Sequence, residues 1–142
     1  MTDEGAGDDV RVSDELPERI AADPYCATLG IDLLALEPGR AVTALTVTDD
    51  LVNFHGTPHG GAIYSLADAA FAAASNSHGE TALALETNIS YLEAVDVGET
   101  LTATAEETHL TDSTAEYEVV GPGGVERQET GKVKRVFDHR ET

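Results

Sequence analysis

The sequence predicts an α+β domain in which a curved antiparallel sheet wraps around one long central helix. Three observations carry this reading. Residues 59–79 (HGGAIYSLADAAFAAASNSHG) are rich in alanine, hold no proline and end at a glycine suited to closing a helix. Before them, two apolar stretches flank Glu37-Pro38-Gly39-Arg40, the pattern of a hairpin about a Pro-Gly turn. After them come four strand-like runs separated by turn residues, which read as an antiparallel meander. One helix with six strands makes an α+β arrangement.

The elements follow in order. Residues 1–15 (MTDEGAGDDVRVSDE) are acidic and aperiodic and read as a disordered tail, leaving 16–142 as a single domain. Leu16, Ile20, Ala21 and Ala27 recur at helical spacing, but Pro24 interrupts them, so two short helical pieces are expected before Gly30. Val42, Ala44 and Thr46 alternate with Thr43, Leu45 and Val47, as in a strand. Within 59–79, Ile63, Leu66, Ala67, Ala70, Ala73 and Ala74 form the core stripe of the helix. The later strands are ALALETNISYLE, ETLTATAEETHL, STAEYEVVG and VERQETGKVKRVF, with loops at Asp96-Val97-Gly98 and Gly121-Pro122-Gly123-Gly124.

Charge excludes several functions. The chain has 27 acidic and 8 Lys or Arg residues, a formal net charge of −19. Nucleic-acid binding and adhesion to anionic membranes both need clustered bases, so neither partner is expected. Cys26 is the single cysteine, which rules out a disulfide framework within the chain and a multi-cysteine zinc site. With no long apolar span or signal-like opening, a cytoplasmic protein is expected. Only Lys132 and Lys134 are lysines, against six arginines, and this balance fits a surface built for concentrated salt.

Asp68 is the single charged side chain across 59–79. It lies off the core stripe, on the face of Tyr64, Ser65, Ala72 and Ser75, with Tyr64 and Phe71 expected to flank it as in a pocket. His59-Gly60-Gly61 opens the same helix. Two glycines permit close approach, and uncapped N–H groups at the positive end of the macrodipole suit an anion or developing oxyanion. Gly60 and Asp68 stand about 12 Å apart along the axis at ~1.5 Å per residue. If they cooperate, two protomers must supply them. His55 and His59 have zinc-helix spacing, but Pro58 breaks the helix that spacing needs, so no metal is expected. His78, His109 and His139 are scattered, and Ser65 and Ser75 lack a nucleophile-elbow context. Arg127, Lys132, Lys134, Arg135 and Arg140 gather in the last sixteen positions, where a local phosphate site is the functional reading and a solvated strand face the plain one.

Asn53-x5-His59-Gly60-Gly61-x6-Asp68 on this architecture resembles the hotdog-fold acyl-CoA thioesterases, and most of all the phenylacetate-degradation (PaaI-type) family. The likeness runs from Pro24-Tyr25 to Val136. The resemblance implies a hotdog fold and hydrolysis of an acyl-CoA, phenylacetyl-like or medium-chain, with no cofactor. It implies Asp68 as general base or nucleophile and Gly60 N–H as the donor that polarises the thioester carbonyl. Asn53 would orient water or the carbonyl, and His59 would shape the loop. Gly61, Tyr64 and Ser65, with Lys132, Lys134 and Arg135, are the candidates for holding substrate. A homo-oligomer is implied, dimers pairing into tetramers with sites shared between protomers. Some relatives carry a water-positioning serine near the start of the third strand, where this chain offers Ala84, Glu86 and Thr87. The alternatives are a hotdog hydratase or dehydratase, which would depend on His59, and a non-catalytic acyl-CoA-binding oligomer.

Overall fold

The computed structural model describes residues 15–79, 81–90, 95–110, 114–120 and 128–136. Of the expected tail 1–15, residues 1–14 lie outside these, as do the Gly121–Gly124 turn, Arg127, His139 and Arg140; Glu15, expected to end the tail, is instead helical. Pro24 divides the first helical pattern as expected, into α1 (Glu15–Ala21) and α2 (Pro24–Leu29). Asp23 caps α2, its carboxylate accepting from Tyr25 N–H at 2.9 Å and Cys26 N–H at 3.1 Å. Pro24 takes the first helical position, where a missing N–H costs nothing. Gly30 ends the helix in the left-handed region at φ 83°.

β1 (Asp32–Glu37) and β2 (Arg40–Thr46) form the expected hairpin. Pro38 and Gly39 make its turn, with Gly39 at φ 77°, the left-handed position that a type II turn reserves for glycine. A short 3₁₀ turn (Asp49–Leu51) leads into a loop and then α3 (Gly60–Asn76). α3 stops three residues short of the glycine expected to close it. Ser77 ends it instead, its hydroxyl donating to the Ala74 carbonyl at 2.6 Å.

Four more strands follow: β3 (Thr81–Ser90), β4 (Thr100–Leu110), β5 (Thr114–Val120) and β6 (Gln128–Val136). The sheet order is β1-β2-β4-β5-β6-β3, antiparallel throughout. This corrects the expected meander. β4, β5 and β6 do follow one another, but β3 pairs with β6 at the far edge, because β2 and β5 occupy both sides of β4. A helix of 17 residues spans about 25 Å. That suffices to carry the chain over the four strand spacings, about 19 Å, from β2 to β3.

α3 packs on the sheet through small side chains. Its buried face holds Ala62, Ile63, Leu66, Ala67, Ala70, Phe71, Ala73 and Ala74, which includes the whole expected stripe. The sheet answers with cross-strand pairs Ala41–Ala105, Thr43–Ala103 and Leu45–Leu101, all buried. Alanines on both layers let the backbones come close enough for a direct bond. Buried Thr43 donates its hydroxyl to the Leu66 carbonyl of α3 at 2.9 Å. Phe71 departs from expectation: at 2% exposure it is core and does not flank the acid as an open pocket wall. Ser75 is buried too. A curved sheet covers a wider arc of the helix than the stripe alone indicates.

Candidate active site

The loop before α3 is organised by one side chain. Asn53 Oδ1 accepts from His55 N–H (2.9 Å), Thr57 N–H (3.2 Å) and the Thr57 hydroxyl (3.1 Å). Asn53 N–H donates to the Thr57 carbonyl at 2.8 Å, and Gly56 turns the chain at φ 85°. A carbonyl oxygen with three donors is saturated. What the Asn53 amide can offer a ligand is therefore its NH₂ group, a donor.

Val52 and Pro58 bridge the base of this loop, and His59 N–H donates to the Leu51 carbonyl at 2.8 Å. His59 thereby becomes the N-cap of α3. Its Nδ1 accepts the Gly61 N–H at 2.9 Å, and its carbonyl accepts from Ala62 N–H at 3.0 Å. This corrects the expectation of an uncapped first turn: the Gly61 donor is spent on His59. A Cβ on residue 61 would stand 3.1 Å from His59 Nδ1, so glycine there is what lets the ring approach. Gly60 is the first residue of α3, at the positive end of the helix dipole.

Gly61, Tyr64, Ser65, Asp68, Ala72 and Asn76 recur every three or four residues along the face of α3 that the sheet leaves open. Asp68 is half-buried on it and has no hydrogen-bond or ion-pair partner among the described residues. Burial pushes its carboxyl above the usual carboxylate range. A carboxylate kept partly dry and without a cation is poised to take a proton.

Nothing in the residue pattern indicated that α2 covers this face. Cys26 is buried, its thiol raised first by burial, then by the charge of Asp23, and also by that of Asp68. Tyr25 reaches over to Ser65, hydroxyl to hydroxyl at 2.8 Å, and Ser65 donates to the Gly61 carbonyl at 2.9 Å. The partners are 40 residues apart, so periodicity could not find them. The structure thus brings Asn53, His59, Gly60 and Gly61 together at one end of α3, with Tyr64, Ser65 and Asp68 further along it.

The basic residues of β6 lie elsewhere in register. Lys132 is opposite Glu86 on β3 and Glu116 on β5, so acidic residues flank it on both sides. Lys134 is opposite Leu83 and Thr114, and Arg135 is opposite Ala82. No group of three or more potential metal ligands occurs among the described residues. None of their helices is long and apolar enough to cross a membrane.

An antiparallel sheet packed on one long helix is the hotdog architecture, the fold of a class of thioester hydrolases. Comparison with known proteins agrees. Residues 55–121 match the model of the thioesterase superfamily. The chain is 42% identical over 97 residues to the acyl-coenzyme A thioesterase PaaI of Escherichia coli K12, covering 68% of this chain and 69% of that one. It is 37% identical to a 1,4-dihydroxy-2-naphthoyl-CoA hydrolase of Listeria monocytogenes, over 65% of this chain and 76% of the relative. The solved E. coli PaaI structure superposes with a TM-score of 0.76 at 38% identity, covering 84% of this chain and 89% of that one. A structure from Thermus thermophilus matches with a TM-score of 0.74 at 44% identity, covering 80% and 97%. The chain belongs to the thioesterase superfamily, as a hotdog-fold thioester hydrolase homologous to the PaaI acyl-CoA thioesterases.

Proposed function

We propose that this enzyme hydrolyses an aryl-acyl-CoA or medium-chain acyl-CoA to the free acid and CoA. The observation that carries the reading is Asp68, half-buried on the open face of α3 and with no cation beside it among the described residues. The thioester carbonyl lies at the start of α3, accepting a hydrogen bond from Gly60 N–H and a second from the Asn53 NH₂ group. Asp68 takes a proton from the attacking water, or attacks the carbonyl itself to form a mixed anhydride. Oxyanion stabilisation by one such donor is typically worth about 3 kcal/mol. The tetrahedral intermediate then collapses and expels the CoA thiolate, which takes up a proton. That relatives include a naphthoyl-CoA hydrolase and the E. coli PaaI protein of a phenylacetic acid degradation operon supports an aromatic acyl group.

Because one α3 cannot bring its own Asp68 to its own Gly60, the site is shared between protomers of a dimer, itself paired into a tetramer. Lys132, Lys134 and Arg135 hold the CoA phosphates, the enzyme works in the cytoplasm, and its −19 charge suits concentrated salt. The hydratase alternative needs a histidine free for proton transfer, and the engagement of His59 Nδ1 by Gly61 N–H speaks against it.

Thiol release from a panel of acyl-CoAs in molar KCl tests the reading, with Asp68→Asn as control. Hydrolysis that depends on Asp68 supports it; thermal protection by acyl-CoA without thiol release refutes it. For the shared site, Asp68→Asn protomers mixed with Gly60→Pro protomers should regain activity after subunit exchange. Proline is tolerated at the first helical position, so the second variant loses the donor and keeps its helix. Mixed oligomers that stay inactive despite confirmed exchange exclude the shared arrangement.

A further inference from the structure

Tyr25 is 61% exposed, yet its hydroxyl is pinned. Ser65 has one hydroxyl hydrogen, and it goes to the Gly61 carbonyl. Ser65 Oγ can therefore only accept from Tyr25, so the chain of bonds runs from Tyr25 to Ser65 to Gly61. The Asp23 cap bonds the Tyr25 N–H at 2.9 Å, fixing the other end of the residue. The residue is thus held at its backbone and at its tip while more than half of it remains exposed. Ser65 is one turn before Asp68 on the same face of α3, so the ring stands beside the candidate catalytic carboxylate.

Resting on the thioesterase reading above, we propose that Tyr25 determines acyl-group specificity, its ring forming the wall against which an aromatic acyl group lies. Charge decides which end of the substrate this wall receives. Asp23 bonds the Tyr25 N–H and Asp68 stands one turn from the Ser65 that holds its hydroxyl, and two carboxylates repel the phosphates of CoA but are indifferent to an uncharged acyl group. An aromatic ring held in one orientation offers its stacking surface with no further ordering, which favours flat acyl groups over short aliphatic ones.

The test compares kcat/KM for phenylacetyl-CoA and acetyl-CoA in the wild type, Tyr25→Ala and Tyr25→Phe. Tyr25→Ala should lower the value for phenylacetyl-CoA by about tenfold and change that for acetyl-CoA by less than about twofold. Tyr25→Phe keeps the ring and should keep most of the discrimination. Should Tyr25→Ala fail to fold, Tyr25→Leu, which retains apolar volume without a flat face, takes its place with the same expected order. Equal losses on both thioesters, or none, overturn the proposal. Equal losses with a changed sedimentation profile mean that a second copy covers the ring instead. A wild type that hydrolyses no member of the acyl-CoA panel, medium-chain thioesters included, fails the thioesterase reading itself, a different result from Asp68-dependent hydrolysis whose selectivity ignores Tyr25.

Discussion

His59 Nδ1 accepts the Gly61 N–H at 2.9 Å, and the residue thereby serves as the N-cap of α3. His59→Ala should cost about 1 kcal/mol of stability, the usual value of a cap, and His59→Asn, another capping side chain, should recover most of it. Turnover should fall only partly in the alanine variant. Thermal melts beside initial rates check both, and abolished turnover in a stably folded His59→Asn protein would point to proton transfer by His59.

Asp68→Asn should keep the fold and lower kcat by roughly 10²–10⁴-fold, the range for losing a general base. Because burial raises the carboxyl, the folded state binds its proton more tightly than the unfolded chain. Stability from this group is present at low pH and is lost as pH rises through the folded value. Asp68→Asn should therefore melt higher than the wild type at neutral pH, by a few degrees at most, and the gap should close on acidification. Melts at several pH values decide it; a lower melting point at neutral pH contradicts the burial cost.

The same raised carboxyl sets the pH dependence of activity. Protonated Asp68 can accept no proton from water, so kcat/KM should fall as pH drops. The midpoint of that limb should lie above the ordinary aspartate value of about 3.9. A pH–rate profile whose acid limb sits at or below that value would reject Asp68 as the base.

Asn53 separates two roles by its two ends. Asn53→Asp keeps an oxygen for the three donors of the loop, so the melting temperature should hold, but it loses the NH₂ donor. Its kcat should drop by roughly 10²-fold. Asn53→Ala loses both and should also cost about 1–2 kcal/mol. Wild-type turnover in Asn53→Asp would reduce the residue to a loop organiser.

Salt should act against the common pattern for phosphate ligands. CoA is a polyanion approaching a chain of net charge −19. That field reaches ~30 Å in 0.01 M salt and ~3 Å at 1 M. KM for acyl-CoA should fall as KCl rises, and replacing Lys134 and Arg135 with Glu should raise KM with little change in kcat. Sedimentation at each salt concentration controls for assembly. A KM that rises with salt in an intact oligomer shows that local basic contacts dominate.

Local chemistry shapes much of this protein, and that part was legible in the residues. Pro24 splits the first helix, Pro38-Gly39 turns the hairpin, and the spacing of Ile63, Leu66, Ala67, Ala70, Ala73 and Ala74 marks the buried face of α3. These follow from φ limits and from a 3.6-residue period, which act within a few residues. Asp68 was legible for the same reason, as a charge alone in an apolar helix. Features that depend on chain closure over long separations emerged only in the folded molecule. β3 went to β6 because both sides of β4 were taken, Phe71 and Ser75 went inside because the sheet curves, and α2 came down over Asp68 through Tyr25 and Ser65. Capping by His59 belongs with these, since a histidine has no strong capping preference and only the loop that Asn53 folds delivers its ring to Gly61.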